Sequence, residues 1–77
     1  MDQNKIDSFN IIREAIFDMR IAVDDADEVA YDLWDKVTDN EENPEDVDYY
    51  SGRLKDYMTK IAELVDMINK ELGLVKE

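Results

Sequence analysis

The amino-acid sequence predicts an all-α protein, an antiparallel αα-hairpin of two long helices. Apolar residues recur at steps of three and four along two long segments, which is the helical period. Only two Gly and one Pro interrupt the 77 residues, and one short polar stretch separates the segments, a connection typical of antiparallel neighbours. A chain of this length forms one domain, residues 1–77, with a small core. The 44% apolar content indicates folding despite a net charge of −12.

The first helix is predicted over about residues 5–38. Ala15, Ala22 and Val29 adjoin its main apolar stripe and widen it to the stripe of a bundle helix. Trp34 also adjoins the stripe, and we expect it to lie mostly in the core. The main stripe comprises Phe9, Ile12, Ile16, Met19, Val23, Ala26, Ala30, Leu33 and Val37.

The second helix is predicted over about residues 44–72, after an acidic turn at residues 39–43. Asn43 suits the N-cap, Pro44 suits the first helical position, and Glu45 and Asp46 favour the positive end of the helix dipole. Its stripe comprises Val47, Tyr50, Leu54, Tyr57, Ile61, Leu64 and Ile68, with Met58, Val65 and Leu72 adjoining.

The end of the second helix is predicted at Gly73, which suits a left-handed C-terminal cap and leaves a short tail at residues 73–77. Two helices cover only part of each other's apolar stripes, so we expect the hairpin to dimerise into a four-helix bundle. Burial of the same stripes against a different protein is the rival expectation. A break near Asp24 and Asp25, where Asp25 and Glu28 have capping-box spacing, would instead give a three-helix bundle.

The negative charge lies almost entirely in one part of the chain. Residues 24–48 hold 12 acids and one base, Lys36, whereas the other 52 residues are nearly neutral. Over about 25–30 Å of helix, this is one charge per 2–2.5 Å, close to the one per ~1.7 Å of duplex DNA. Asp32 and Asp35 approach the negative end of the first helix dipole, so the cluster works against stability. The acids therefore either imitate nucleic acid or serve solubility alone.

The candidate partner-binding site lies on the first helix. Phe17 and Ile21 lead into the acidic stripe at helical spacing, and aromatic or aliphatic residues beside charges are typical anchors of interfaces. Packing in a dimer or against a third helix would bury Phe17 and Ile21 instead. The candidates are Asp24, Asp25, Asp27, Glu28, Asp32 and Asp35 for the charge, with Phe17, Ile21 and Tyr31 as anchors.

Composition argues against catalysis, cofactors and a metal site. The chain has no His and no Cys, so the usual zinc, haem and iron–sulfur sites cannot form. An EF-hand loop aligned on Asp39 has Pro44 where Gly is needed and Tyr50 where a bidentate Glu is needed, which leaves weak cation binding at most. Direct nucleic-acid binding requires an excess of Lys and Arg. The polar N-terminus and the lack of a long apolar run predict a cytoplasmic protein.

These observations favour a non-enzymatic interaction protein. In size, helical content and charge the chain resembles the small acidic inhibitors that phages direct against host defence nucleases, anti-CRISPR proteins included. That resemblance is one of class and is carried by no sequence motif. It implies an inhibitor or adaptor that occupies a basic surface of a nucleic-acid-binding protein. The alternative is a structural module that associates with itself as a homodimer and uses its acidic end only for solubility.

Overall fold

Within the described residues the fold consists of two long helices. The computed structural model describes residues 2–38 and 44–76, with α1 at Gln3–Thr38 and α2 at Pro44–Lys76. The helices pack along each other, and the Cα atoms span 61 × 14 × 13 Å. The predicted all-α helical hairpin is confirmed. The predicted acidic turn at residues 39–43, with the predicted N-cap Asn43, lies outside the described residues.

α1 runs without interruption through Asp24 and Asp25, so the three-helix alternative is wrong. The apolar residues of α1 keep their helical spacing through this acidic segment, so α1 packs against α2 there without a break. α1 begins two residues earlier than predicted because Asp2 caps it. The Asn4 backbone N–H donates to the Asp2 carboxylate at 3.0 Å, and the backbone N–H groups of Lys5 and Ile6 donate to the Asp2 carbonyl.

α2 continues past Gly73 to Lys76, so the predicted left-handed cap is wrong. No described glycine has a positive φ. Gly73 adopts helical dihedrals because the chain after it still gains contact with α1: Val75 is half-buried. Glycine permits a helix end at this position but does not impose one.

The contact between the helices uses the predicted stripe of α2 but only part of the predicted stripe of α1. The α2 residues predicted to face α1 are buried or half-buried. On α1 the buried line is rotated, and Phe9, Ile16, Val23 and Val37 are exposed, Phe9 by 54%. Small side chains on the buried line let the larger Tyr, Leu and Ile of α2 approach closely. The buried residues of α1 are Ser8, Ile12, Ala15, Ala22, Ala26 and Val29.

Trp34 also lies outside the core, contrary to expectation. It is 59% exposed, because the rotation of α1 that brings the alanines against α2 carries the Trp34 position towards solvent. Its ring instead packs on the ring of Tyr31, with centroids 5.9 Å apart and planes inclined at 37°.

The close approach at Ala22 predicts sensitivity to side-chain size. Ala22 is 2% exposed, so Ala22→Leu should push the helices apart and lower the free energy of unfolding by about 1–3 kcal/mol. Urea denaturation measures the change. Ile21→Leu, at the neighbouring exposed position, is the control and should leave stability within about 0.5 kcal/mol. Equal stability of the two variants would contradict close packing at Ala22.

Gly52 offers a stabilising substitution. It lies inside α2 on the exposed side, and a Cβ placed there meets no atom within 4 Å. Gly52→Ala should therefore stabilise the helix by about 1 kcal/mol and raise the melting temperature by roughly 4–8 °C. Gly73→Ala also enters open space but lies in the final turn, where fraying reduces the gain. A melting temperature unchanged by Gly52→Ala, measured by circular dichroism, would refute this account.

Candidate partner-binding surface

All but one of the predicted acidic residues are exposed on α1. Asp24 stands midway in sequence between the buried Ala22 and Ala26, which places it on the opposite side of the helix. Asp25 is half-buried because its position flanks the contact with α2. The exposed acids of this surface, called here the acidic back, are Asp24, Asp27, Glu28, Asp32 and Asp35.

The three predicted anchors are exposed on the same helix. Phe17 is 63% exposed, Tyr31 is 66% exposed, and Ile21 is also exposed. No third helix covers Phe17 or Ile21 in the described chain. Phe17 and Ile21 precede the acidic back by about one to two turns, and Tyr31 lies within it. The structure therefore leaves all three side chains available to a partner.

A shallow open depression marks the centre of the acidic back. It is lined by Asp27, Glu28, Tyr31 and Asp32, and the packing of Tyr31 on Trp34 borders it. Carboxylates beside an aromatic ring suit a Lys or Arg side chain, which can form an ion pair and lie over the ring face. The depression is open, so it does not enclose a small molecule as a ligand pocket does.

The carboxylates of the acidic back have no partners among the residues that the structure describes. Among the described residues, no hydrogen bond or ion pair reaches the side chains of Asp24, Asp27, Glu28 or Asp32. The Thr38 hydroxyl donates to the carbonyls of Trp34 and Asp35 at 2.8 and 3.3 Å. These bonds satisfy carbonyls at the end of α1 but add no positive charge. The negative field of this surface is therefore directed into solvent.

Arg53 on α2 is held by tyrosines rather than by these acids. Its Nη2 donates to the Tyr57 hydroxyl at 3.3 Å, and its Cζ lies 5.9 Å from the ring centroids of both Tyr49 and Tyr57. The hydrogen bond to Tyr57, followed by the interaction with Tyr49, raises the pKa of the guanidinium above its ordinary value. Tyr50 packs edge-on against Tyr49 at 5.2 Å. These contacts could have been predicted from the sequence, because Tyr49, Arg53 and Tyr57 stand at positions i, i+4 and i+8 of one helix.

A second surface, made of residues from the predicted apolar stripes and the positions that adjoin them, is apolar and exposed. In α1 each of its residues directly follows a position that faces α2, as Val23 follows Ala22, and in α2 Val65 follows Leu64 in the same way. Right-handed helices that run in opposite directions turn these following positions to one side of the hairpin. This apolar face comprises Phe9, Ile16, Val23 and Val37 of α1 with Met58, Val65 and Leu72 of α2.

The described residues contain no group of three or more acids placed to hold a metal ion. The EF-hand alignment begins in residues 39–43, outside the described part, but its remaining positions, Pro44 and Tyr50 among them, belong to α2. An EF-hand would need these two positions in its loop. Neither of the two described helices is long and apolar enough to cross a membrane.

No family model, curated protein or solved structure matches this chain. We therefore interpret these surfaces from their own chemistry.

Proposed function

We propose that this chain is a non-enzymatic inhibitor or adaptor that occupies the basic surface of a nucleic-acid-binding protein by charge mimicry. The observation that supports the proposal is the acidic back, a set of exposed carboxylates along a continuous helix that have no partner among the described residues. In character it is of the phage anti-defence or anti-CRISPR-like class. The proposal places the protein in the cytoplasm together with such a partner.

A continuous helix makes the acids a fixed array. Asp24, Glu28 and Asp32 follow one another at intervals of four residues, about 6 Å along the axis at ~1.5 Å per residue. A disordered acidic tail loses conformational entropy when it binds, whereas charges on a formed helix are already positioned. Their combined field also attracts a basic partner over a distance and accelerates encounter.

The exposed apolar anchors give the complex a component that salt does not screen. Ion pairs at an exposed surface weaken as ionic strength rises, but burial of Phe17, Ile21 and Tyr31 against a partner does not. A basic groove with apolar walls, as found where protein side chains stack on bases, fits this combination. Salt should therefore weaken the complex without abolishing it.

The test compares two matched triple variants. One neutralises the acidic back with Asp24→Asn, Glu28→Gln and Asp32→Asn. The control neutralises exposed acids of α2 with Asp56→Asn, Glu63→Gln and Asp66→Asn, so both variants change the net charge by the same amount. Proteins of the source cell that immobilised native protein captures at low salt are assayed for nucleic-acid binding in the presence of each variant.

Native protein should inhibit nucleic-acid binding by the captured protein, and the first variant should require roughly tenfold more for the same inhibition, since three lost ion pairs contribute about 0.5 kcal/mol each. The control should stay close to native. Circular dichroism establishes that both variants remain helical. Equal inhibition by the two variants would overturn the proposal and leave solubility as the role of the acids.

A further inference from the structure

We infer that a second copy of this chain covers the apolar face, forming a four-helix bundle whose two-fold axis crosses the helices near Val23. The two turns then lie at opposite ends of the bundle. This inference goes beyond the proposed function and rests on a different surface, because the apolar face spans both helices whereas the acidic back belongs to α1 alone. The two surfaces meet only at Asp27, which none of the variants that test the proposed function changes, so either proposal can fail without the other.

The apolar face has the size that a stable dimer requires. The Cα atoms span 61 by 14 Å, so the whole side of the hairpin that carries the apolar face, polar residues included, has a projected area of about 850 Å². A typical specific interface buries ~800 Å² on each partner. Monomers rarely expose large contiguous apolar patches, and each side chain of the apolar face is at least 41% exposed.

The row contributed by α1 is arranged symmetrically about Val23. Phe9 and Val37 are equally distant from Val23, and so are Ile16 and Ala30. When two α1 helices cross antiparallel at this residue, Phe9 meets the partner's Val37 and Ile16 meets the partner's Ala30. Each larger side chain thus faces a smaller one, which lets the two rows interdigitate at constant separation.

The row contributed by α2 shares the same axis. Ser51, Met58, Val65 and Leu72 are symmetric about a point between residues 61 and 62. Val23 lies 15 residues from the end of α1, and this midpoint lies about 17 residues from the start of α2, a difference of less than one helical turn at ~1.5 Å per residue. One two-fold axis therefore brings both rows into register.

Charged residues beside the apolar face complement each other across the same axis. On the outer edge of α1, Arg20 comes level with the partner's Asp27 and Arg13 with the partner's Trp34. On the outer edge of α2, Asp48 comes level with the partner's Lys76. The two-fold axis makes each of these pairs occur twice, giving four ion pairs and two cation–π contacts around an apolar centre.

The distribution of charge selects opposite ends for the turns. Residues 24–48 carry 12 acids against one base, and the rest of the chain is nearly neutral. A dimer with both turns at one end would set the two acidic halves side by side, where they repel. The arrangement with opposite ends sets each acidic half beside the neutral half of its partner.

Sedimentation equilibrium tests the dimer. The native chain of 9.0 kDa should sediment at twice that mass. Val23→Asp places two carboxylates together on the axis and should weaken association by about 100-fold, equivalent to ~2.7 kcal/mol. Ile21→Asp is the matched control, because Val23 and Ile21 are both 48% exposed but Ile21 lies off the apolar face. Both variants should keep native helicity in circular dichroism, since neither side chain lies between α1 and α2.

A native protein that remains monomeric up to about 1 mM, or equal association of the two variants, would overturn the inference. So would a stable complex in which a different protein, rather than a second copy, protects the apolar face. Cross-linking tests the arrangement of the two copies directly. Because the chain has no Cys, an introduced Cys is its only thiol. Under oxidation, Val23→Cys should form disulfide dimers, since the two positions meet at the axis within bonding distance.

Phe9→Cys should not cross-link, because the equivalent positions lie roughly 42 Å apart along the bundle at ~1.5 Å per residue. Cross-linking of both variants to the same extent would refute opposite ends for the turns.

Exchange of the flanking charges gives a third test. Arg20→Asp sets like charges against the partner's Asp27 and should raise the dimer dissociation constant about tenfold. Adding Asp27→Arg restores opposite charges at both sites and should return the constant to near its native value. A double variant as weak as the single variant would contradict the proposed alignment of α1 on its partner.

Discussion

The rest of the structure depends on the close packing of a row of small residues in α1 against a row of large residues in α2. Ala15, Ala22 and Ala26 of α1 present little side chain, so the Tyr, Leu and Ile side chains of α2 can lie directly against the α1 backbone. Two helices share only one line of contact, and in the described chain six hydrophobic residues are buried. Other apolar side chains are half-buried at the edges of this contact, and those on the outer sides of the helices have no place inside the hairpin. Their exposure is a geometric consequence of having two helices.

The two exposed surfaces are chemically different and lie on different sides. The acidic back belongs to α1 alone and holds carboxylates whose mutual repulsion the hairpin fold has to overcome. The apolar face spans both helices and is bordered by Arg13, Arg20 and Lys76. A helical hairpin keeps these properties apart because they lie on different sides of its helices, so a partner that buries one surface leaves the other free except at Asp27, where the two surfaces meet.

Combining the two proposals gives a protein with two binding ends. In a dimer with its turns at opposite ends, the Asp35 residues of the two copies stand roughly 36 Å apart along the bundle, at ~1.5 Å per residue. Each end then offers one acidic back with its anchors. A basic partner with two sites at a matching distance would gain affinity from simultaneous engagement, and separate partners could be held together by one bundle.

The sequence by itself determined the two helices, the hairpin and the confinement of charge to residues 24–48, because helical period, turn composition and charge are local properties that neighbouring residues settle. It also identified the line of α2 residues that contacts α1. Only the tertiary structure decided which side of the wide α1 stripe meets α2. Phe9, Val23 and Trp34 are as apolar as the core, but the stripe is wider than one helix can cover, and the fit of alanines to the large α2 side chains selects the rotation. Tertiary contact also decided where α2 ends. Gly73 by itself would allow the helix to end, but the contact made by Val75 keeps this residue helical.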